Sequence, residues 1–366
     1  MKVAVIGAGV IGLLSALELA EQGVHVDLFD QRLAGAEASW AGGGILSPMY
    51  PWRYPSAVNA LAQSAKTMYQ TWNEKLKPVT EIDFEIHHSG MLIFDESDFA
   101  LGLSYADQSQ NPMQHAQLLQ ASDILNTNPH ISAQFKQALF FPHLANIRNP
   151  KLLQSLVCYL KQLPHVQWHE HTQITQLHFE HQRLQHIQDQ HGHIYTADEF
   201  VFSTGAWSHQ FSQQLNIHIP VQPIQGQMAL FKAPPGFLPT MCMNEVMYLI
   251  PRADGHIVCG SSMQDIGFNK DISHSLQQHI LDASYQMVPA LKKMPLVQQW
   301  AGLRPSSPHG IPYIGVLPHL NNVWLNTGHF RNGLCMGPAS AQLLRQLMLQ
   351  QPLSVDPNVY NPSHLI

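Results

Sequence analysis

Cysteine is scarce in this chain. Four residues in 366, Cys158, Cys242, Cys259 and Cys335, lie far apart and form no Cys-x-x-Cys pair. That pattern speaks against a disulfide framework and suits free thiols in a reducing, cytoplasmic setting. Excess positive charge is missing too. The formal charge of −6 argues against a general nucleic-acid surface. Past the N-terminus, no stretch reaches membrane-spanning length without a charge or a proline. No basic amphipathic helix or apolar anchor stands out, so no membrane partner is expected. Internal repeats and low-complexity tails are absent. Histidine is plentiful, with eight between His165 and His193, but the spacings vary, no helical i, i+4 pair sits with a carboxylate, and no cysteine helps. A polar-faced β-meander is the expectation there, with no metal site.

What is present is concentrated at the start. Val3-Ala4-Val5-Ile6 reads as a buried parallel strand, Leu13 to Gln22 as an apolar helix ended by Gly23, and Val24 to Phe29 as a second strand closed by Asp30. Between the first strand and the helix stands Gly7-Ala8-Gly9-Val10-Ile11-Gly12. This is the βαβ dinucleotide fingerprint, with its acid about 20 positions on. Gly7 makes the turn, Gly9 lacks the Cβ that would block a pyrophosphate, and Gly12 lets helix and strand pack closely. The helix N-terminus offers N–H groups and a positive dipole end to phosphates. Asp30 can accept from ribose hydroxyls and would repel a 2′-phosphate, so FAD or NAD is expected rather than NADP. The apolar run from Val3 to Ala20 is read as part of this unit and not as a leader or anchor, because its glycines fit the fingerprint and Glu18 interrupts it.

Further along, Ser39-Trp40-Ala41-Gly42-Gly43-Gly44-Ile45-Leu46 is small enough for backbone to lie against a planar ligand. The aromatic and proline-rich stretch Ser47 to Pro55 reads equally as a rigid surface loop or as a lid. Ala57 to Leu76 is expected to be one amphipathic helix, Gly90 to Phe94 a strand, Glu96 to Asn126 two surface helices, and Asn149 to Leu163 a helix with Pro150 in its first turn. Glu199 to Phe202 is an apolar strand running into Ser203-Thr204-Gly205-Ala206-Trp207-Ser208, which returns backbone to the cofactor. Long strands are expected over Pro220 to Lys232 and Met241 to Ser262, a helix over Leu276 to Leu291, and a last strand over Val323 to Thr327. A glycine-bounded turn, Gly328 to Gly333, then precedes a closing helix from Pro338 to Leu349. The expected architecture is α/β: a Rossmann-type dinucleotide-binding domain, for FAD or NAD, made of residues 1–85, 140–219 and 298–366, interleaved with an α+β substrate domain, residues 86–139 and 220–297, on a mostly antiparallel sheet.

These motifs together resemble the glycine oxidase branch of the D-amino-acid oxidase family of flavoenzymes. The matching segments are the Gly7–Gly12 turn, Ser39 to Gly44, Ser203 to Ser208, Tyr248-Leu249-Ile250-Pro251-Arg252, Trp300-Ala301-Gly302-Leu303-Arg304-Pro305, Pro312-Tyr313-Ile314-Gly315 and Gly328-His329-Phe330-Arg331-Asn332-Gly333. The resemblance implies FAD held without a covalent bond; Gln298 to Leu317 contains no cysteine that could attach it. It implies a cofactor set of Gly7, Gly9, Val10, Ile11, Gly12, Asp30, Ser39, Trp40, Ala41, Gly43, Gly44, Ile174, Thr204, Gly205, Trp207, His329, Arg331, Asn332 and Gly333. It also implies oxidation of a small amine such as glycine, sarcosine or D-alanine, with hydride passing from the substrate Cα to flavin N5 to give an imine and hydrogen peroxide. Arg331 is then the carboxylate anchor, Arg304 a second pocket arginine, Tyr248 a hydrogen-bond donor to the carboxylate, and Met263 a pocket wall. The partners implied are the amino acid and oxygen, with hand-off of the imine to a thiazole synthase for thiamine synthesis and a homo-oligomer left open. The alternative is a D-amino-acid or sarcosine dehydrogenase that passes electrons to a carrier other than oxygen.

Overall fold

The computed structural model describes residues 1–109 and 115–365. Three sheets carry the chain. The first has six strands in the order Tyr313–Val316, Val323–Thr327, Glu199–Phe202, Lys2–Ile6, His25–Phe29 and Val166–His169, all parallel except the first pair. Val3, Val5, Val26, Leu28, Phe200 and Val201 are fully or almost fully buried, as expected of parallel strands covered on both faces. From Lys2–Ile6 the chain passes to His25–Phe29 on one side and later returns to Glu199–Phe202 on the other. Their carboxyl ends therefore open a crevice at a topological switch point.

The second sheet has eight strands, in the order Leu296–Ser306, Gln222–Lys232, His256–Gly260, Tyr248–Pro251, Met241–Met243, Met91–Ile93, Gln137–Phe141 and Gln117–Gln120. Only the Met241–Met243 and Met91–Ile93 pair is parallel. The long strand Leu296–Ser306 runs through Pro305, which an edge strand tolerates because it donates no ladder bond there. The domain divisions expected at 139/140 and 297/298 fall inside Gln137–Phe141 and Leu296–Ser306, so both strands stay with this larger sheet. A third sheet, Ile174–Glu180, Arg183–Asp189 and Ile194–Thr196, holds most of the histidine-rich stretch, while Val166–His169 leaves it for the six-stranded sheet.

Several expected elements change their bounds for physical reasons. The single helix expected over 57–76 is two, Ser56–Ala62 and Ala65–Thr80. The two helices expected over 96–126 are Phe99–Gln108, entered through a 3₁₀ turn, and Ala121–Thr127, with the edge strand Gln117–Gln120 before the second; residues 110–114 of that span lie outside the described residues. The closing helix begins five residues earlier than expected, at Gly333, and runs to Met348 with Pro338 inside it. Pro338 has no N–H for the carbonyl of Leu334, and the buried Tyr69 hydroxyl donates to that carbonyl instead, at 2.9 Å. Glu18, which interrupts the first apolar run, faces the same helix. It is buried and accepts from Arg345 Nε at 2.7 Å, joining the fingerprint helix Val10–Ala20 to the closing helix. No helix among the described residues is long and apolar enough to cross a membrane.

Candidate active site

At the carboxyl ends of the parallel strands lies a long cleft of about 1750 Å³, its open mouth included. The fingerprint forms one wall. Gly7 has φ +101°, and a Cβ there would sit 2.4 Å from the Ser203 carbonyl oxygen. Gly12 does not line the cleft; its role is in the turn, where a Cβ would meet the Gly7 carbonyl at 1.8 Å. Gly9 caps the helix Val10–Ala20, and the Val10 N–H donates to Ser39 Oγ at 2.8 Å. Asp30 accepts from the N–H groups of Ala8 at 2.8 Å and Arg32 at 2.9 Å. Burial pushes its carboxyl above the ordinary value, against those two bonds.

The glycine-rich stretch is held from behind. Arg252 is buried and donates to Asn146 Oδ1 at 2.5 Å and to the carbonyls of Ile147 and Gly43, each at 2.8 Å. Burial lowers this guanidinium to about 10. Asn149 Nδ2 donates to the carbonyls of Ser39 and Gly42, and Trp300 Nε1 to that of Ala41 at 3.0 Å. Trp40 packs edge-on against Trp300, 5.6 Å between ring centres, and does not line the cleft. The roles of Arg252 and Asn149 were missed in sequence, although Arg252 closes one of the motifs. Nothing local shows that a side chain reaches back across the chain to carbonyls at 43 and 147.

Arg304, Tyr248 and Arg331 converge at the other end of the cleft. Arg304 lies on Leu296–Ser306, opposite Ile224. Its guanidinium crosses the face of Gly226, where a Cβ would stand 2.2 Å from Nη2 and 2.3 Å from Nη1. It donates to Ser261 Oγ at 2.6 Å and to the Ser262 carbonyl at 3.1 Å. Burial pulls it below its ordinary value; Tyr248 acts the other way, and Arg331 lowers it further. Tyr248 is buried and donates to Met228 Sδ at 3.5 Å. Met228 and Met49, and not Met263, are therefore the methionines that line this pocket. Met263 is 61% exposed and outside the cleft lining. Arg331 stands exposed at the mouth, in the short turn Phe330–Asn332, with Nη2 3.7 Å from Met49 Sδ. Among the described residues neither Arg304 nor Arg331 has an ion-pair partner.

The loop from Ser47 to Pro55, read as either rigid or a lid, is tied to the segments that follow the strands Met91–Ile93 and Met241–Met243. Tyr50 donates its hydroxyl to Asp95 at 2.6 Å, Trp52 Nε1 donates to Asp98 at 2.5 Å, and Arg53 pairs with Asp98 and Glu245. His329 lines the cleft as a neutral ring. Ser340 Oγ donates to the Met336 carbonyl at 2.9 Å, so it must accept from His329 Nε2, 3.0 Å away. The proton then sits on Nε2, and Nδ1 is left as an unpaired buried acceptor. Burial pushes this imidazole down to about 3. Asn149 Oδ1, Ser203 Oγ and Asn332 Nδ2 are likewise buried without partners on the cleft wall. Four unsatisfied polar atoms along one cleft call for a polar ligand, since each would otherwise cost about 1–3 kcal/mol.

The chain matches the FAD dependent oxidoreductase family over residues 2–347 and belongs to it. It is an FAD-dependent amine oxidoreductase. It is 42% identical to the glycine oxidase of Pseudomonas putida, over 99% of this chain and 98% of that one, and 40% identical to the glycine oxidase of Pseudomonas aeruginosa over the same shares. A bifunctional ThiO/ThiG protein of Trichormus variabilis is 26% identical over 95% of this chain and 53% of its own length. Among solved structures, the glycine oxidase of Geobacillus kaustophilus superimposes with a TM-score of 0.93, over 100% of this chain and 99% of that one, at 22% identity. That last likeness is one of fold.

The cleft fits FAD. The open faces of Gly9 and Gly205, where an added Cβ would meet only Ser39 Oγ at 3.3 Å and nothing within 4 Å respectively, leave room for a close approach. The unpaired atoms supply both an acceptor, His329 Nδ1, and a donor, Asn332 Nδ2. Apart from Gly12, Trp40 and Met263, the residues expected from sequence line this one cleft, Ile174 and Trp207 included.

Proposed function

We propose that the chain oxidises glycine and similarly small amines, among them sarcosine and D-alanine, to imines with release of hydrogen peroxide. The observation that carries this reading is a pair of guanidinium groups, Arg304 and Arg331, without an acidic partner at the substrate end of an FAD cleft. Two unpaired cations beside a tyrosine hydroxyl suit a small carboxylate, and planar forks fix its direction as well as its distance. FAD, when bound, accepts the two electrons of the oxidation. Arg331 anchors the carboxylate, Tyr248 donates to it, and Arg304 supports it from the pocket wall. Met228, Met49 and Tyr248 keep the space small and exclude water. Lysine is absent from the described lining residues, and Asp30 and Glu37, its carboxylates, are engaged at the nucleotide end. No dedicated base is needed if the amine binds in its free, neutral form.

The glycine oxidase relatives support the substrate class. The bifunctional ThiO/ThiG relative supports hand-off of the imine to a thiazole synthase, in a role within thiamine synthesis. We assign residues through Phe84 and most of 142–219 and 307–365 to the FAD-binding domain, with the eight-stranded sheet as the substrate domain. The test is aerobic turnover of glycine with peroxide counted against imine hydrolysed. One peroxide per glycine is expected. Turnover only with an artificial electron acceptor would point to the dehydrogenase alternative, and preference for large D-amino acids would refute the small pocket.

A further inference from the structure

Four amides, from two strands of the eight-stranded sheet and the helix His274–Met287, form a hydrogen-bonded chain that is buried except at Gln299. Gln299 Nε2 donates to Gln277 Oε1 at 2.7 Å, Gln277 Nε2 to Gln227 Oε1 at 3.3 Å, and Gln227 Nε2 to Gln225 Oε1 at 2.9 Å. Gln225 Nε2 ends the chain on the carbonyls of Asn269 and Asp271, at 3.0 and 3.1 Å. Gln225 and Gln227 are 0% exposed. Because the final acceptors are backbone carbonyls, which cannot donate, the orientation of each amide behind them is determined. Such a fully satisfied polar chain specifies one arrangement, and a half-satisfied one is costly.

What the chain holds is the segment Ser261 to Ser273, between the strand His256–Gly260 and the helix His274–Met287. The root of this segment grips Arg304 through Ser261 and Ser262, and Ser262 Oγ accepts the Gln227 N–H at 2.9 Å. Gln264 and Gln225 exchange both backbone bonds, at 2.9 and 3.0 Å. Its far end leaves its own sheet and reaches the cofactor side. Lys270 Nζ donates to both oxygens of Glu37, at 3.1 and 3.0 Å, and the Phe268 ring lies 5.6 Å from that of Trp207. Glu37 and Trp207 both line the FAD cleft. Met263, Ile266, Phe268 and Ile272 are 61, 42, 45 and 47% exposed, so burial does not hold the segment down; these polar and ring contacts do.

We propose that Ser261 to Ser273 is a clasp across the FAD cleft, seated by Gln225 and Gln227 and latched by Lys270 on Glu37 and Phe268 on Trp207, and that it slows release of the bound cofactor. Lys270, Phe268, Gln225 and Gln227 are positioning residues in this scheme. The inference needs FAD but not a particular amine, so its test is run without substrate and stands apart from the test of glycine oxidation.

Holoenzyme is diluted, and free flavin is followed by its fluorescence. Lys270→Ala and Phe268→Ala should each release FAD roughly 3- to 10-fold faster than the unaltered protein. Lys270→Arg should keep the slow rate, since the charge remains. Raising salt should speed release from the unaltered protein and not from Lys270→Ala, because only the former has the latch to screen. Gln225→Met, which fills the space without an amide donor, should also speed release; if it fails to fold, the two surface variants carry the test. Release rates in Lys270→Ala and Phe268→Ala equal to the unaltered rate would overturn the clasp. So would a Lys270→Arg rate as fast as that of Lys270→Ala.

Discussion

Arg252, Arg304 and Arg331 carry the same guanidinium into three environments, and what each touches separates their roles. Arg252 is enclosed by carbonyls and an amide and holds the glycine-rich loop. Arg304 donates to Ser261 and Ser262 at its back and presents its plane along Gly226. Arg331 meets only a methionine sulfur among its described hydrogen-bond contacts, so its donors remain available to a carboxylate. Arg331→Ala should lower kcat/KM for glycine by about 2 kcal/mol, roughly 30-fold, at the low end for a desolvated charge pair because the group is exposed. Ethylamine, which has no carboxylate, should be almost unaffected, and Arg331→Lys should restore only part of the loss because an ammonium has no planar fork. Equal harm to both amines would move the anchor to Arg304. Gly226→Ala tests that second arginine without touching its charge. The new Cβ would occupy the guanidinium's place, so kcat/KM for glycine should fall on the order of 100-fold while the visible absorbance of bound FAD stays unchanged. An active Gly226→Ala enzyme would show that Arg304 need not lie where it does.

At the scale of elements, the fingerprint helix, the helix Ala65–Thr80 and the closing helix are joined by buried polar contacts at points where a helix rule is broken. Pro338 leaves the Leu334 carbonyl without its helical donor, and Tyr69 supplies one from the neighbouring helix. Tyr69→Phe keeps the ring packing and removes that donor. It should lower stability by about 1–3 kcal/mol, the cost of a buried unsatisfied carbonyl, seen as a fall in Tm of the holoenzyme with FAD content unchanged. The Glu18–Arg345 pair is the charged counterpart. Arg345→Met would leave a buried carboxylate without its cation and should cost about 3–5 kcal/mol; burial already raises the Glu18 carboxyl above its ordinary value despite Arg345. Equal stability of the Met variant and the unaltered protein in denaturant titration would show that water reaches Glu18.

At the scale of the whole molecule, the six-stranded sheet supplies the nucleotide wall and the eight-stranded sheet supplies Tyr248, Met228 and Arg304. The cleft exists only where the two meet. Bound FAD should come free on acid precipitation, leaving a colourless pellet and a yellow supernatant, because no cysteine is among the described residues that line the cleft. A yellow pellet would contradict the expected non-covalent attachment. The fingerprint wall was legible in the sequence because it is local. Gly7, Gly9, Gly12 and Asp30 lie within one βαβ unit, whose turn geometry and strand length place them without help from the rest of the chain. That Arg304 and Arg331 share one cleft was expected as well, but only through the resemblance, since nothing in their spacing brings them together. Tertiary structure alone decided the choice of Met228 over Met263, the support of the loop by Arg252, the early start of the closing helix and the contact of Lys270 with Glu37. Each depends on a side chain meeting a partner tens to hundreds of positions away, as Arg252 meets Gly43 and Lys270 meets Glu37. Such pairings are selected by how two sheets pack, and periodicity and local propensity carry no record of that packing.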